Sequence, residues 1–173
     1  LYRYFMNDLV EVCGKYLNTP LLKFSQKGNG VTSITGEKVY ETQINEAIAM
    51  SCQELEIEVR FHLSLANVVQ ARYELYLEIK QPERVNIYAL SHAVDKQLCV
   101  LNIEYCGKRN SGRLHAPRVY FLTHNTAEAY KRFQIDRGQR EGQYKLISLL
   151  DKSDCAFSIQ DYIVTSGRGR KYA

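Results

Sequence analysis

Residues 55–80, LEIEVRFHLSLANVVQARYELYLEIK, alternate apolar and polar positions over almost their whole length. Leu55, Ile57, Val59, Phe61, Leu63 and Leu65 fall on one parity; Glu54, Glu56, Glu58, Arg60, His62 and Ser64 fall on the other. A period of two puts successive side chains on opposite faces of an extended ribbon, so the pattern predicts strand and not helix. Past Ala66, Asn67 and Val68 the apolar parity resumes at Val69, Ala71, Tyr73, Leu75, Leu77 and Ile79. Antiparallel partners share a face, so a hairpin that keeps one oily side must pair odd positions with odd ones. A three-residue turn centred on Asn67 does this, setting Phe61 opposite Tyr73 and Arg60 opposite Glu74; a five-residue loop keeps the parity too. The charged parity is then the wetted side of a sheet.

The flanking segments complete the expected architecture. Tyr2, Phe5, Met6, Leu9, Val10, Val12, Cys13 and Leu17 fall near helical spacing, and Pro20 stops that helix. "LLKFS" reads as a short strand and residues 37–52 as a second helix, capped by Thr35 or Gly36. "RVNIYALSH" and "QLCVLNIEYCG" are apolar on both parities, the pattern of interior strands covered on two sides. "RVYFLT" is a further strand, and "NTAEAYKRF" a short helix with Asn125 and Glu128 in capping-box spacing. "YKLISLL" and "CAFSIQDYIVT" close the chain as strands. Strands and helices do not alternate steadily, which disfavours a doubly wound parallel sheet. The expected class is α+β: a twisted, mostly antiparallel sheet of about five to seven strands, with two or three helices packed on one face. Residues 1–165 form one such domain, and 166–173, "SGRGRKYA", a basic flexible tail.

At 173 residues the chain has the length of a single core. Its five cysteines are widely spaced and odd in number, which indicates reduced thiols in a cytoplasmic or nuclear setting. No apolar run is long enough to span a membrane, and no signal-peptide pattern is present. The first residue is Leu and not Met, which is the expectation for an excised domain of a larger protein or a processed chain.

Charge is uneven. The net value is +4, yet residues 106–145 hold Lys108, Arg109, Arg113, Arg118, Lys131, Arg132, Arg137, Arg140 and Lys145 against only Glu128, Asp136 and Glu141. Several of these cations lie in "GKRNSGRLHAPR" and "DRGQREGQ", which read as loops near Tyr120 and Tyr130. Basic loops beside aromatic rings can track a phosphate backbone and stack a base. The first eight of these cations, Lys108 to Arg140, are therefore the candidate nucleic-acid-binding residues.

Catalytic patterns are weaker. His62-Leu63-Ser64 and His124-Asn125-Thr126 both fit H-x-[ST], the spacing of a two-histidine phosphoesterase. Its second copy has Asn125 where an apolar residue belongs. Glu78-Ile79-Lys80 with Glu58, or Asp95 and Glu104 with Lys108, imitate a metal-dependent nuclease. Cys99, Cys106, His92 and His115 match no common zinc spacing. No catalytic residue, metal or cofactor is expected. The functional expectation is a non-catalytic recognition module of a larger assembly, binding nucleic acid or an acidic protein surface through 106–145. The alternatives are a phosphodiester-cleaving enzyme and a purely protein-binding scaffold.

Overall fold

A computed structural model describes residues 8–27 and 30–164. The chain runs β1 (Asp8–Tyr16), β2 (Thr19–Lys27), β3 (Val31–Thr32), β4 (Val39–Tyr40), α1 (Glu41–Glu54), β5 (Val59–Asn67), β6 (Arg72–Ile79), α2 (Ile87–Leu101), α3 (Ile103–Asn110), β7 (Arg118–Phe121), α4 (Thr126–Asp136) and β8 (Leu149–Asp151). This is an α+β fold. Its principal sheet has the order β7-β6-β5-β8, with an antiparallel β5/β6 pair in the middle and a parallel strand on each side.

The alternating segment is a hairpin, as its period dictates, but in another register. Asn67 pairs with Arg72, Leu63 with Tyr76 and His62 with Leu77, so odd positions meet even ones across a four-residue connection. Asn67 fastens that connection by accepting the Gln70 N–H at 3.0 Å, and Ala71 closes it at φ 47°. A β-bulge between Val59 and Phe61 offsets the strand once more, since Val59 faces Ile79 while Phe61 faces Glu78. The consequence is two oily faces in place of one. Ala66, Tyr73, Leu75, Leu77 and Ile79 pack with Ile44, Ile48, Leu90 and Leu98 of α1 and α2. Phe61, Leu63, Leu65 and Tyr76 pack on the opposite side with Tyr130 of α4 and with Phe157 and Ile159. The expected wetted side is thereby corrected. Helices α1, α2 and α3 cover one face, and α4 with the 155–163 segment covers the other.

Three local expectations are corrected. The two segments read as interior strands are α2 and α3. Leu90, Val94 and Leu98 recur every four residues and are fully buried, while Tyr88, Val100 and Ile103 face outward. Asparagines start both helices. The Asn86 side chain accepts from the Tyr88 and Ala89 N–H groups, and that of Asn102 from the Tyr105 N–H. The opening segment is strand β1, hairpinned with β2, where its sequence spacing suggested a helix. Register shifts after Leu9 and Val12 break its period of two and make it imitate a helical stripe. Residues 155–164 hold one short 3₁₀ helix, Ile159–Tyr162, and one bridge, Leu122 to Ile163, in place of a strand. Tyr2, Phe5, Met6 and the 166–173 tail lie outside the described residues. Among the described residues no helix is long and apolar enough to cross a membrane.

Candidate functional site

Residues 33–38 join β3 to β4 as a surface turn held from beneath. Glu37 is fully buried at 0% exposure. Its Oε1 accepts from the Ile34 N–H and the Tyr73 hydroxyl, each at 3.0 Å. Its Oε2 accepts from the Thr35 N–H and hydroxyl, each at 2.8 Å. Burial alone would raise the carboxyl's pKa, but the hydrogen bonds from Ile34 and Thr35 outweigh it and hold the group below the usual carboxylate range. Glu37 is therefore an anion in the interior, a costly arrangement unless its lone pairs are used, as they are here. At the tip, Gly36 has φ +100°, and a Cβ there would stand 3.4 Å from Lys108 Nζ. Asn102 Nδ2 donates to the Lys38 carbonyl at 2.7 Å, and the Lys38 N–H donates to Glu104 at 3.1 Å, tying the turn to α3. A rigid turn with an open glycine and the cations Lys38 and Lys108 beside it suits an anionic group. Thr35 or Gly36 is the cap expected from sequence; α1 instead begins after Tyr40, whose N–H is accepted by Gln43.

A second feature lies along β5. Strand β8 pairs with it only at Ser64, Leu65 and Ala66, and beside 59–63 a cleft of about 460 Å³ opens against α1. Asn45, Ile48, Cys52, Arg60, His62 and Leu146 line it. The Nδ1 of His62 is shielded and has no hydrogen-bond partner among the described residues. Burial lowers the imidazole's pKa, partly opposed by the charge of Glu41, so the ring is neutral at pH 7. Glu41 itself accepts from the Ser148 N–H, and the Ser148 hydroxyl lies 2.8 Å from the same oxygen. Cys52 is pushed up to about 11 by burial and is not a nucleophile.

His62 makes the domain's stability depend on pH with a definite sign. Its folded-state pKa is below its unfolded value of about 6.5, so the unfolded chain takes the proton first. Stability should fall as pH drops below about 6.5 towards the folded value. Urea titrations at pH 7.5 and 5.5 are expected to show that slope in the parent protein and a flatter one in His62→Gln. An identical slope in both would mean that His62 is not the titrating group.

The catalytic patterns of the sequence do not assemble. His62 and Ser64 face α1, whereas His124 lies 3.8 Å from Glu78 on the other side of the sheet, with Arg60 Nη1 at 3.5 Å. Glu78 accepts the Asn125 and Ala127 N–H groups, and Lys80 is paired with Glu58 at 2.9 Å in solvent. Asp95 is clamped by Arg109 through two 2.8 Å bonds and by the Tyr105 hydroxyl at 2.6 Å. Among the described residues no group of three His, Cys, Asp or Glu can hold a metal ion.

The basic set is likewise divided. Lys108 and Arg109 lie on α3 and not in a loop, and Lys131 and Arg132 lie on α4, which covers the opposite face. Arg118 lies 5.6 Å from the Tyr120 ring centroid and Arg137 5.5 Å from that of Phe133. Lys131 pairs with Glu141 at 3.1 Å. Arg113, Arg132 and Arg140 are exposed.

Known proteins are similar to this chain in sequence and in fold. Residues 42–154 match the GH3 family C-terminal domain. A probable indole-3-acetic acid-amido synthetase, GH3.7 of Oryza sativa subsp. japonica, is 25% identical and aligns with 95% of this chain and 28% of its own length. The 4-substituted benzoates-glutamate ligase GH3.12 of Arabidopsis thaliana is 26% identical over 84% of this chain and 28% of its own. A solved GH3.15 acyl acid amido synthetase superposes with a TM-score of 0.71 at 19% identity, covering 95% of this chain and 32% of that one. The chain thus spans less than a third of the proteins it resembles.

Those relatives are named as synthetases and ligases, which overturns the expected non-catalytic module. Nucleic acid, an acidic protein surface and partners in a larger assembly fall with it as expected partners, as do the phosphodiester-cleaving and scaffold alternatives. The physical reason is local: excess cations in 106–145 are shared between two faces, and Arg109 and Lys131 are neutralised where they stand. With well over half of its length matched by one family, the chain belongs to the GH3 family and carries its C-terminal domain.

Proposed function

We propose that this chain is part of an enzyme that joins the carboxyl group of an organic acid to an amine. The observation that carries the reading is the match of 42–154 to the GH3 C-terminal domain, in company with relatives named for amide formation. Amide formation from a carboxylate and an ammonium group is uphill in water, so the acid must be activated first. We assign that role to a nucleoside triphosphate. A carboxylate oxygen attacks phosphorus as a phosphoanhydride bond breaks, giving a mixed acyl phosphate anhydride, while the rest of the nucleotide's phosphate chain leaves with the electron pair of the broken bond. The ammonium group loses one proton to become a free amine, which attacks the carbonyl carbon; the phosphate-bearing oxygen leaves with the electron pair, and the nitrogen gives up a second proton to become the amide. Negative charge builds on phosphate and carbonyl oxygens in both steps, and fixed cations stabilise it where it develops. Lys38 and Lys108, beside the braced turn of 33–38, are this chain's candidates for that task. The remaining parts of such a site would come from sequence outside these 173 residues. The cysteines are free and Cys52 is an inert thiol, which supports an intracellular location.

The test uses the full-length protein with ATP, magnesium and a panel of aryl and alkyl carboxylic acids against the common amino acids. Mass spectrometry is expected to detect an amide in at least one combination. Lys108→Ala with Lys38→Ala should lower kcat by roughly 10²-fold while leaving the KM for the acid nearly unchanged. Absence of any amide across the panel would sink the reaction; normal turnover in the folded double variant would remove only the turn from the site.

A further inference from the structure

Helices α2 and α3 meet at Asn102, whose extended backbone turns the chain from one into the other. Cys99 sits in the last turn of α2 and Cys106 in the first turn of α3. Helical periodicity sets them against each other. Asp95 lies one turn before Cys99 and Arg109 one turn after Cys106, and Arg109 clamps Asp95 through two 2.8 Å bonds. Residues three or four apart share a helix face, so that ion pair puts the two cysteines on facing stripes, between the clamp and the bend. Their thiols are in hydrogen-bond contact. Both are free and half-buried, so a small solute can reach them. Their surroundings differ. The Asn110 side-chain amide donates to the Cys106 sulfur at 3.6 Å, which fixes that sulfur in place. Burial, the Cys106 contact and the Asp95 charge push the Cys99 thiol up to about 12, so it keeps its proton at neutral pH. Cys13 and Cys155 are turned instead to the Leu21 and Phe157 carbonyls, and Cys52 is sealed in the core.

We infer that Cys99 and Cys106 are a redox pair that a hydroperoxide closes to a reversible disulfide, clamping α3 to α2. The deprotonated Cys106 sulfur attacks the hydroxyl-bearing oxygen of the peroxide, and the O–O bond breaks. The departing oxygen takes up the proton that Cys106 gave up. Cys106 is thereby oxidised to a sulfenic acid and the peroxide is reduced. The Cys99 sulfur then attacks the Cys106 sulfur, the S–O bond breaks, and hydroxide leaves with the electron pair. That hydroxide takes the Cys99 proton and becomes water. A dithiol restores both thiols by exchange. The order follows from the two environments: a thiol that keeps its proton is the poorer first nucleophile, and the second step consumes that proton. A disulfide in a reducing compartment is usually of this transient, sensing kind. The clamp bears on the 33–38 turn because α3 is its mount, with Asn102 holding the Lys38 carbonyl and Glu104 the Lys38 N–H. No step here depends on the amide-forming reading.

The experiment exposes the full-length protein to hydrogen peroxide and blocks the remaining thiols with N-ethylmaleimide before digestion. Chymotrypsin cuts after Leu101 and Tyr105, between the two cysteines, so the disulfide shows in mass spectra as a linked pair of peptides. That pair is expected as the main oxidised species, and dithiothreitol should remove it. Amide hydrogen exchange over 103–110 should slow about ten-fold in the cross-linked protein. In Cys99→Ser, Cys106 should stall as a sulfenic acid that dimedone traps. In Cys106→Ser, dimedone should label Cys99 about ten-fold less. The proposal is overturned by linked peptides that join other cysteines in place of this pair, or by sulfinic acid at Cys106 with no linked pair. Equal dimedone labelling of the two variants, or unchanged exchange over 103–110 after cross-linking, would overturn it as well. Amide formation assayed on the reduced protein reports separately on the reaction, whichever way the oxidation falls.

Discussion

Glu37→Ala is expected to destabilise the domain by about 3 kcal/mol, lowering Tm by roughly 6–12 °C for a chain of this size. Four donors lose their acceptor at once: the N–H groups of Ile34 and Thr35 and the hydroxyls of Thr35 and Tyr73. A hydrogen bond to a charged group contributes about 1.5–3 kcal/mol, but the gains are not additive, and deleting a desolvated anion recovers part of the loss. Thr35 can turn to water. Tyr73 cannot, because it is fully buried against Tyr105, with ring centroids 6.1 Å apart. Glu37→Gln keeps one acceptor oxygen and should cost less than Glu37→Ala; Tyr73→Phe, which leaves the carboxylate its other donors, should cost about 1 kcal/mol. Since the folded-state pKa of Glu37 lies below its unfolded value, its contribution is complete above the ordinary carboxylate range and is lost as pH falls through the folded value. Chemical denaturation of the three variants at pH 7, repeated at pH 4, measures all of this. A change under 1 kcal/mol for Glu37→Ala would show that the turn is not held by that carboxylate.

What the sequence made legible follows from how each signal is encoded. The β5–β6 hairpin was readable because a period of two survives over many residues, and two parities cannot both be accidental. Which parity faces inward was not readable. That depends on a four-residue connection fixed by Asn67 and on a bulge between Val59 and Phe61, each a one-residue event that reverses every side chain beyond it. Helices α2 and α3 were hidden by exposed apolar residues, Tyr88, Val100 and Ile103, which made the segment look oily on all sides. Their true markers were Asn86 and Asn102, caps that sequence shows only as two more asparagines. The site was less legible still. Glu37 looks like any acid near a helix start, and its burial depends on Tyr73, 36 residues away in sequence. Cations clustered in sequence, by contrast, were separated in space, because α3 and α4 lie on opposite faces of the sheet.

Glu78→Ala is expected to cost about 2–3 kcal/mol, and Glu128→Ala less than about 0.5 kcal/mol, the reverse of what capping-box spacing implies. The sequence offers Asn125 and Glu128 as the start of α4. The structure uses neither side chain for that purpose: Asn125 sits in the left-handed region at φ 67° and makes no side-chain cap. Glu78, on the neighbouring strand, takes over the task, accepting the N–H groups of Asn125 and Ala127 at 3.1 Å each. A carboxylate at this end also meets the positive end of the helix dipole. At 3% exposure Glu78 is shielded from water, so its removal leaves two amides without a partner and a void beneath the helix. Asn125→Gly should be neutral, because its backbone conformation is the one glycine accepts freely, while Asn125→Val should cost at least about 1 kcal/mol. Denaturant melts give the energies, and amide hydrogen exchange over 126–130 locates them, with faster exchange expected in Glu78→Ala alone. If Glu128→Ala proves as damaging as Glu78→Ala, the helix is capped from within its own sequence and the strand-to-helix bond is incidental.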